Sequence, residues 1–385
     1  MRRTVYNQDH EDFRAMIRDF VEAEVVPVYD EWFEAGIVPR DFYKKLGELG
    51  IFEIEVPTEY GGSGVDSYKF QAILTEELSR AAVSFGGSGV HVALCLPYLK
   101  ALATEEQKRR WFPGFMSGDI MFAIAMTEPG TGSDLAGMRT TAKLSEDGTH
   151  YVLNGAKTFI TGGVHADRVI VCARTAPPRD DDRRFGISLL VVDTSSAGYE
   201  VGRKLDKLGL RTSDTAELNF ADVKVPVEDL LGEENRGFSY LGQNLPRERL
   251  SIAVGAYAQA KAAVQFAIEY TKQRTVFGQP VAGFQNTKFE LAACQADVDA
   301  AEAVVDRAME ADDLGELTPA DAAKAKLFCT EVAARVIDRC LQLHGGYGYI
   351  NEYPIARLYA DNRVTRIYGG TSEVMKMIIA KDMGL

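Results

Sequence analysis

The apolar pattern of this 385-residue chain changes period twice, and that double change restricts the fold more than any other feature. Near the start, Phe13, Met16, Ile17, Phe20 and Val21 fall at i, i+3, i+4, i+7 and i+8, which predicts a helix with one apolar stripe. DFYKKLGELG reads as a short helix stopped by Gly50, and Thr104 with Gln107 three positions on forms a capping-box pattern ahead of QKRRWF. After Asp119 the texture becomes β-branched and aromatic: EDGTHYVLNGAKTFITGG, DRVIVCART and FGISLLVVDT are strand runs separated by D-G and N-G turns and by the solvated loop PPRDDDRR. Helical period returns at Gly237. Phe238 to Arg274 is a 37-residue stretch interrupted by Pro246, which predicts a kink or restart there and a rod of about 40 Å beyond it. Thr318 as N-cap, Pro319 at N1, Asp321 at N3 and Gly345-Gly346 as a stop delimit a further helix, and YPIARLYADNRV and SEVMKMIIAKDM supply two more. Ala253, Ala256, Ala260, Ala263 and Ala267 permit close helix packing, so the last third reads as a helical bundle.

The expected fold class is therefore α+β, with an N-terminal helical domain over 1–119, a middle β domain over 120–231 and a C-terminal helical domain over 232–385. No internal repeat or low-complexity tract interrupts this plan.

Charge and composition narrow the function classes. A formal net charge of −13 opposes nucleic-acid binding, which rests on a surplus of Lys and Arg. The five cysteines form no C-x-x-C pair and the five histidines are scattered, so no metal site is expected and a reducing compartment fits. MRRTVYNQDHEDF lacks the apolar run of a signal peptide. Val83 to Ala103 is apolar enough to suggest a membrane span, but its glycines, His91, Pro97 and Lys100 favour a buried core segment. The expectation is a cytoplasmic protein without a membrane span.

Taken singly, the candidate site motifs are ordinary. AMTEPGTGSD, Ala125 to Asp134, is a Gly-rich turn with hydroxyls; Gly345-Gly346 is a helix stop; Arg274 is a helix-end cation; Glu248 is an exposed helix carboxylate. IYGGTSEVMK, Ile367 to Lys376, could present backbone N–H groups to a ligand but carries no acid, base or nucleophile beside its glycines. Taken in order, EYGGSG, AMTEPGTGSDL, NGAKTFITGG, LGLRTSDTAEL, KQRTVFGQPVAGFQ, LQLHGGYGYINEYPIARLYAD and RIYGGTSEVMKMIIAK resemble the acyl-CoA dehydrogenase family along essentially the whole chain.

That resemblance implies an N-terminal helical domain, a middle barrel-like β domain and a C-terminal four-helix bundle. It also implies non-covalent FAD, oxidation of an acyl-CoA thioester to the trans-2-enoyl-CoA, an electron-transfer flavoprotein as acceptor, and a homotetramer built as a dimer of dimers. The chemistry needs a base at Cα and a hydride acceptor at Cβ. Many relatives carry the base directly after the tyrosine of a Tyr-Glu-Gly-Thr motif. Here the motif reads Tyr368-Gly369-Gly370-Thr371, without the acid. The branch that includes the long-chain and isovaleryl-CoA enzymes instead places a glutamate before an arginine on the helix after the β domain, and LPRERLSIA matches that pattern, which makes Glu248 the expected base with Arg249 beside it. Overall similarity favours the long-chain branch.

Carried over position by position, the resemblance places Met126, Thr127, Gly132 and Ser133 against FAD, with Phe159, Ile160 and Thr161 beside its ring. Phe159 stands where relatives often have tryptophan. Arg274, Phe277 and Gln285, with Gln342, Gly345 and Gly346, match groups that reach the FAD of a neighbouring subunit, and Thr371 with Glu373 completes the cofactor set. Ser133, Arg249, Tyr368, Gly369 and Gly370 are the expected substrate contacts. Two other readings compete: an acyl-CoA oxidase on the same fold, and a non-catalytic flavin or acyl-CoA binding subunit.

Overall fold

The structure, a computed structural model, describes residues 3–385. Six helices come first: α1 (Gln8–Phe20), α2 (Tyr29–Ala35), α3 (Phe42–Glu48), α4 (Lys69–Ala81), α5 (Leu96–Leu102) and α6 (Glu105–Ser117). In the α1 stripe Ile17 and Val21 are fully buried and Phe13 and Phe20 pack against them, whereas Met16 turns outward to solvent, so the stripe is narrower than its spacing suggests. The Thr104–Gln107 capping box forms at the start of α6. The Gln107 amide also donates to the carbonyls of Glu228 (2.7 Å) and Leu230 (2.9 Å), tying that helix start to the end of the β region.

Eight strands follow: β1 (Phe122–Ala125), β2 (Thr141–Leu144), β3 (His150–Thr161), β4 (Arg168–Arg174), β5 (Ile187–Asp193), β6 (Tyr199–Lys204), β7 (Thr215–Pro226) and β8 (Leu230–Leu231). They form one sheet in the order β6-β7-β3-β2-β4-β5-β8, with β1 parallel to β4. The path is not a closed barrel: β6 and β8 are its ends, and its halves join at the single pair Thr141–Arg174. β5 is apolar without alternation because both of its faces are covered. Leu190 and Val192 face the interior of the β region, while Ile187, Leu189 and Val191 lie in the core shared with the N-terminal helices.

The last part contains α7 (Gly237–Gln273), α8 (Gln285–Asp313), α9 (Pro319–His344), α10 (Pro354–Asn362) and α11 (Ser372–Asp382). α7 runs through Pro246 without the expected restart. Pro246 stands only ten residues into the helix, costs one backbone bond, and is itself buried in packing that holds the helix on course. The five alanines named above are all fully buried, and α7 packs mainly on α9. The 29-residue α8, which no cap or stop signal announces, completes the bundle. Among the described residues no helix is long and apolar enough to cross a membrane, and Val83 to Ala103 lies largely within the first core.

Candidate active site

The Gly-rich segment after β1 folds into a tight turn, closed by mutual backbone bonds between Glu128 and Thr131 (2.9 and 3.0 Å). Where side chains would project from Gly130 and Gly132 there is nothing within 4 Å, and Gly132 and Ser133 are exposed, so the turn offers its backbone to a ligand. Beneath it is a support that the sequence motifs left unassigned. Lys157, fully buried on β3, donates to the carbonyl of Met126 (2.9 Å) and to Oε1 of Glu128 (2.9 Å). Glu128 also accepts the backbone N–H groups of Arg139 at Oε2 (2.6 Å) and of Thr140 at Oε1 (2.9 Å). Burial would push the Glu128 carboxyl up, but Lys157 and those N–H groups outweigh it and hold the carboxyl below its usual range.

The Thr127 carbonyl accepts Thr158 N–H (3.0 Å), and here β3 bulges against β7 between Lys157 and Ile160. The bulge lifts Phe159 into a left-handed conformation (φ +60°) with 68% of its surface exposed, an uncovered aromatic held beside the Gly-rich turn. Thr161 is half-buried close by. Ile160 departs from expectation: its side chain is buried in the β-region core, so the alternation of the strand leaves only its backbone for a ligand.

A second group gathers elsewhere. Tyr270, Arg274, Gln342, Gly345, Gly346 and Tyr347 line an open cleft of about 570 Å³. Arg274 lies over the Tyr347 ring at 5.7 Å, and Phe277 is 96% exposed at φ +49°. Gln285 opens α8 and is exposed. Thr371 caps α11 by accepting Val374 N–H at 3.4 Å. Glu373 is exposed in that first turn, and its carboxyl is pulled down by its own backbone N–H and by Thr371.

Glu248 is not the exposed carboxylate that a lone helix position suggests. On α7 it is 6% exposed, and the Tyr98 hydroxyl of α5 donates to its Oε1 at 2.9 Å. Burial lifts the carboxyl to about 7, against smaller opposing effects from the Tyr98 hydrogen bond and the Arg249 charge. Its charge, together with burial, raises the pKa of the Cys95 and Cys172 thiols and of the Tyr98 phenol.

Arg249 is buried, with Nε 3.4 Å from the Gly369 carbonyl. Lys326, buried on α9, donates to the carbonyls of Tyr368 (2.7 Å) and Gly370. Three consecutive carbonyls of the Tyr368-Gly369-Gly370 loop are thus drawn onto two cations, which settles where the backbone of that acid-free loop points. Tyr98 and Lys326 carried no signal in the sequence: one lay in an apolar run and the other in an Ala-rich helix.

Sequence models of the acyl-CoA dehydrogenase N-terminal, middle and C-terminal domains match residues 7–119, 123–223 and 235–384. The chain belongs to the acyl-CoA dehydrogenase family. It is 42% identical to the mitochondrial long-chain specific acyl-CoA dehydrogenase of Sus scrofa over 99% of this chain and 88% of that one. To the mitochondrial short-chain specific enzyme of Mus musculus it is 37% identical over 97% and 89%. The crystal structure of an acyl-CoA dehydrogenase from Geobacillus kaustophilus superposes with a TM-score of 0.95 at 44% identity, covering 99% of both chains. An acyl-CoA dehydrogenase from Bacillus anthracis, complexed with FAD, matches at a TM-score of 0.89 and 33% identity over 98% of this chain and 67% of that one. This acyl-CoA dehydrogenase is an oxidoreductase that uses FAD. The open glycine turn, the uncovered Phe159 and the Arg274 cleft are features that such a cofactor fits.

Proposed function

We propose that Glu248 is the base that removes the α-proton of the acyl-CoA. The observation that carries this reading is its burial: a carboxyl lifted to about 7 is deprotonated often enough near neutrality to act, yet basic enough to take a carbon-bound proton. Oε1 is held by Tyr98, and Oε2 has no protein partner among the described residues, so a lone pair is free to receive the proton. Bound FAD supplies the acceptor for the β-hydrogen as hydride. Met126, Thr127, Gly132, Ser133, Phe159 and Thr161 would hold the cofactor, with Ile160 contributing backbone alone. Ser133, Arg249 and the Tyr368–Gly370 loop would meet the thioester.

A long-chain preference is supported by the 42% identity to the Sus scrofa enzyme and by the resemblance of LPRERLSIA to that branch. An electron-transfer flavoprotein is the acceptor that the family implies, and a dimer of dimers would bring Arg274, Phe277, Gln285, Gln342, Gly345 and Gly346 onto a neighbour's FAD. Glu248→Gln decides the base, because it preserves size and hydrogen bonding while removing the proton acceptor. The variant should keep FAD and bind acyl-CoA but bleach its flavin at least about 1000-fold more slowly in anaerobic stopped flow. Bleaching at the parent rate refutes the assignment. Peroxide formed in air as fast as a dye is reduced would favour the oxidase reading instead.

A further inference from the structure

Resting on that reading of Glu248, we propose that Tyr98 is a positioning residue for the reaction: its phenol pins one carboxyl oxygen of the base and favours the proton-accepting form, leaving the other oxygen to take the α-proton. Tyr98 is fully buried on α5 and its hydroxyl donates to Glu248 Oε1 at 2.9 Å. α5 is entered through a π turn, Val90–Cys95, with Pro97 in its own first turn. A π turn offsets the register that follows by about one residue, roughly 100° of rotation, and so sets which α5 side chain faces α7.

Among the described residues, the titratable groups that couple to Glu248 are Tyr98 and Cys95 from the α5 side, Cys172 from β4, and Arg249 from α7 itself, and of these Tyr98 touches the carboxyl. Both thiols are fully buried, and burial together with the carboxylate keeps them protonated and neutral. Arg249 turns its Nε to the Gly369 carbonyl and makes no ion pair with Glu248 within 4 Å among the described residues. Among the described residues the phenol is therefore the only neighbour that donates a hydrogen bond to the carboxylate, and a donor to the charged form is what separates a usable base from a buried acid that stays protonated.

Tyr98→Phe removes the donor and little else. Flavin bleaching by a saturating acyl-CoA, followed anaerobically in the holoenzyme across pH, gives the readout. The acid limb should move up by about one pH unit, so that the loss below neutrality exceeds the loss on the alkaline plateau by about tenfold. A merely structural phenol would lower both limbs alike, and an unmoved acid limb overturns the proposal. If Tyr98→Phe fails to retain FAD, 3-fluorotyrosine at position 98, a stronger donor of nearly the same shape, should move the limb down; no movement again overturns it. Glu248→Gln, run alongside, separates the two claims. A slow Glu248→Gln with an unmoved Tyr98→Phe limb removes the role of Tyr98 alone, whereas a fast Glu248→Gln removes the base and this inference with it.

Discussion

Glu248 illustrates how a carboxyl can be chemically useful and structurally costly in one place. Its folded-state value of about 7 is raised by burial, so the folded protein holds that proton more tightly than the unfolded chain does. The stabilising contribution is full below about pH 4.5 and is lost as pH rises through about 7. On the role proposed for Glu248, flavin reduction should run the other way, with an acid limb near 7 and rising activity above it. Glu248→Gln should therefore be inactive yet more stable than the parent at pH 8, by up to about 3 kcal/mol, with the difference vanishing near pH 4; urea unfolding at the two pH values checks it. Lys157 is the opposite case. Lys157→Met leaves Glu128 buried without its cation, which should cost about 3–5 kcal/mol and release FAD during gel filtration, and adding Glu128→Gln should recover part of both losses. Neither residue's surroundings were legible in the sequence. Glu248 was found through a motif, Lys157 was visible only as a letter in NGAKTFITGG, and burial is a property of the packed chain.

At the scale of elements, the Tyr368–Gly370 loop shows why a motif can lose its acid and keep its shape. Gly369 has φ +62°, and its carbonyl faces Arg249 while Lys326 grips the carbonyls on either side. Relatives with glutamate at this position suggest moving the proposed base, and the geometry adds a condition: a side chain at 369 would be strained by the left-handed backbone and would press on Cδ1 of Ile252 on α7, a terminal methyl that must shift. Glu248→Gly with Gly369→Glu should restore only a small part of flavin reduction, and Ile252→Ala added to that pair should raise the rate about tenfold or more, because a misplaced base costs on the order of 100-fold per Å. Equal rates in the double and triple variants would show that Ile252 is no obstacle. Element existence was readable where caps and alternation mark it, as at Thr104, Thr318 and in β3 to β5. It was not readable at α8, whose 29 residues lack a side-chain cap, or at Pro246, where the packing of a whole helix overrides a local breaker.

For the whole molecule, the surface around Arg274 is the feature that a single chain leaves most open. Arg274→Ala should lower FAD content and shift sedimentation toward smaller species together; loss of FAD from an intact assembly would mean the arginine serves the cofactor alone. The helix–sheet–helix plan was legible because period and turn chemistry change with each part. The contacts between parts were not, since they depend on close approaches such as Gly209, where any side chain would run into the backbone of Ala360, and Leu210, whose N–H meets Asp361. One such contact also bears on how the protein is made. β5 turns Ile187, Leu189 and Val191 toward the N-terminal helices, and those side chains share a core with Phe85, Cys95 and Leu99 as well as with Ile170 and Cys172 of β4. A ribosome delivers those helices first, so the strand emerges to a surface already waiting for it. Reversing that order by circular permutation would leave an apolar strand face uncovered during synthesis, and such a chain should depend heavily on chaperones even though its finished contacts are the same.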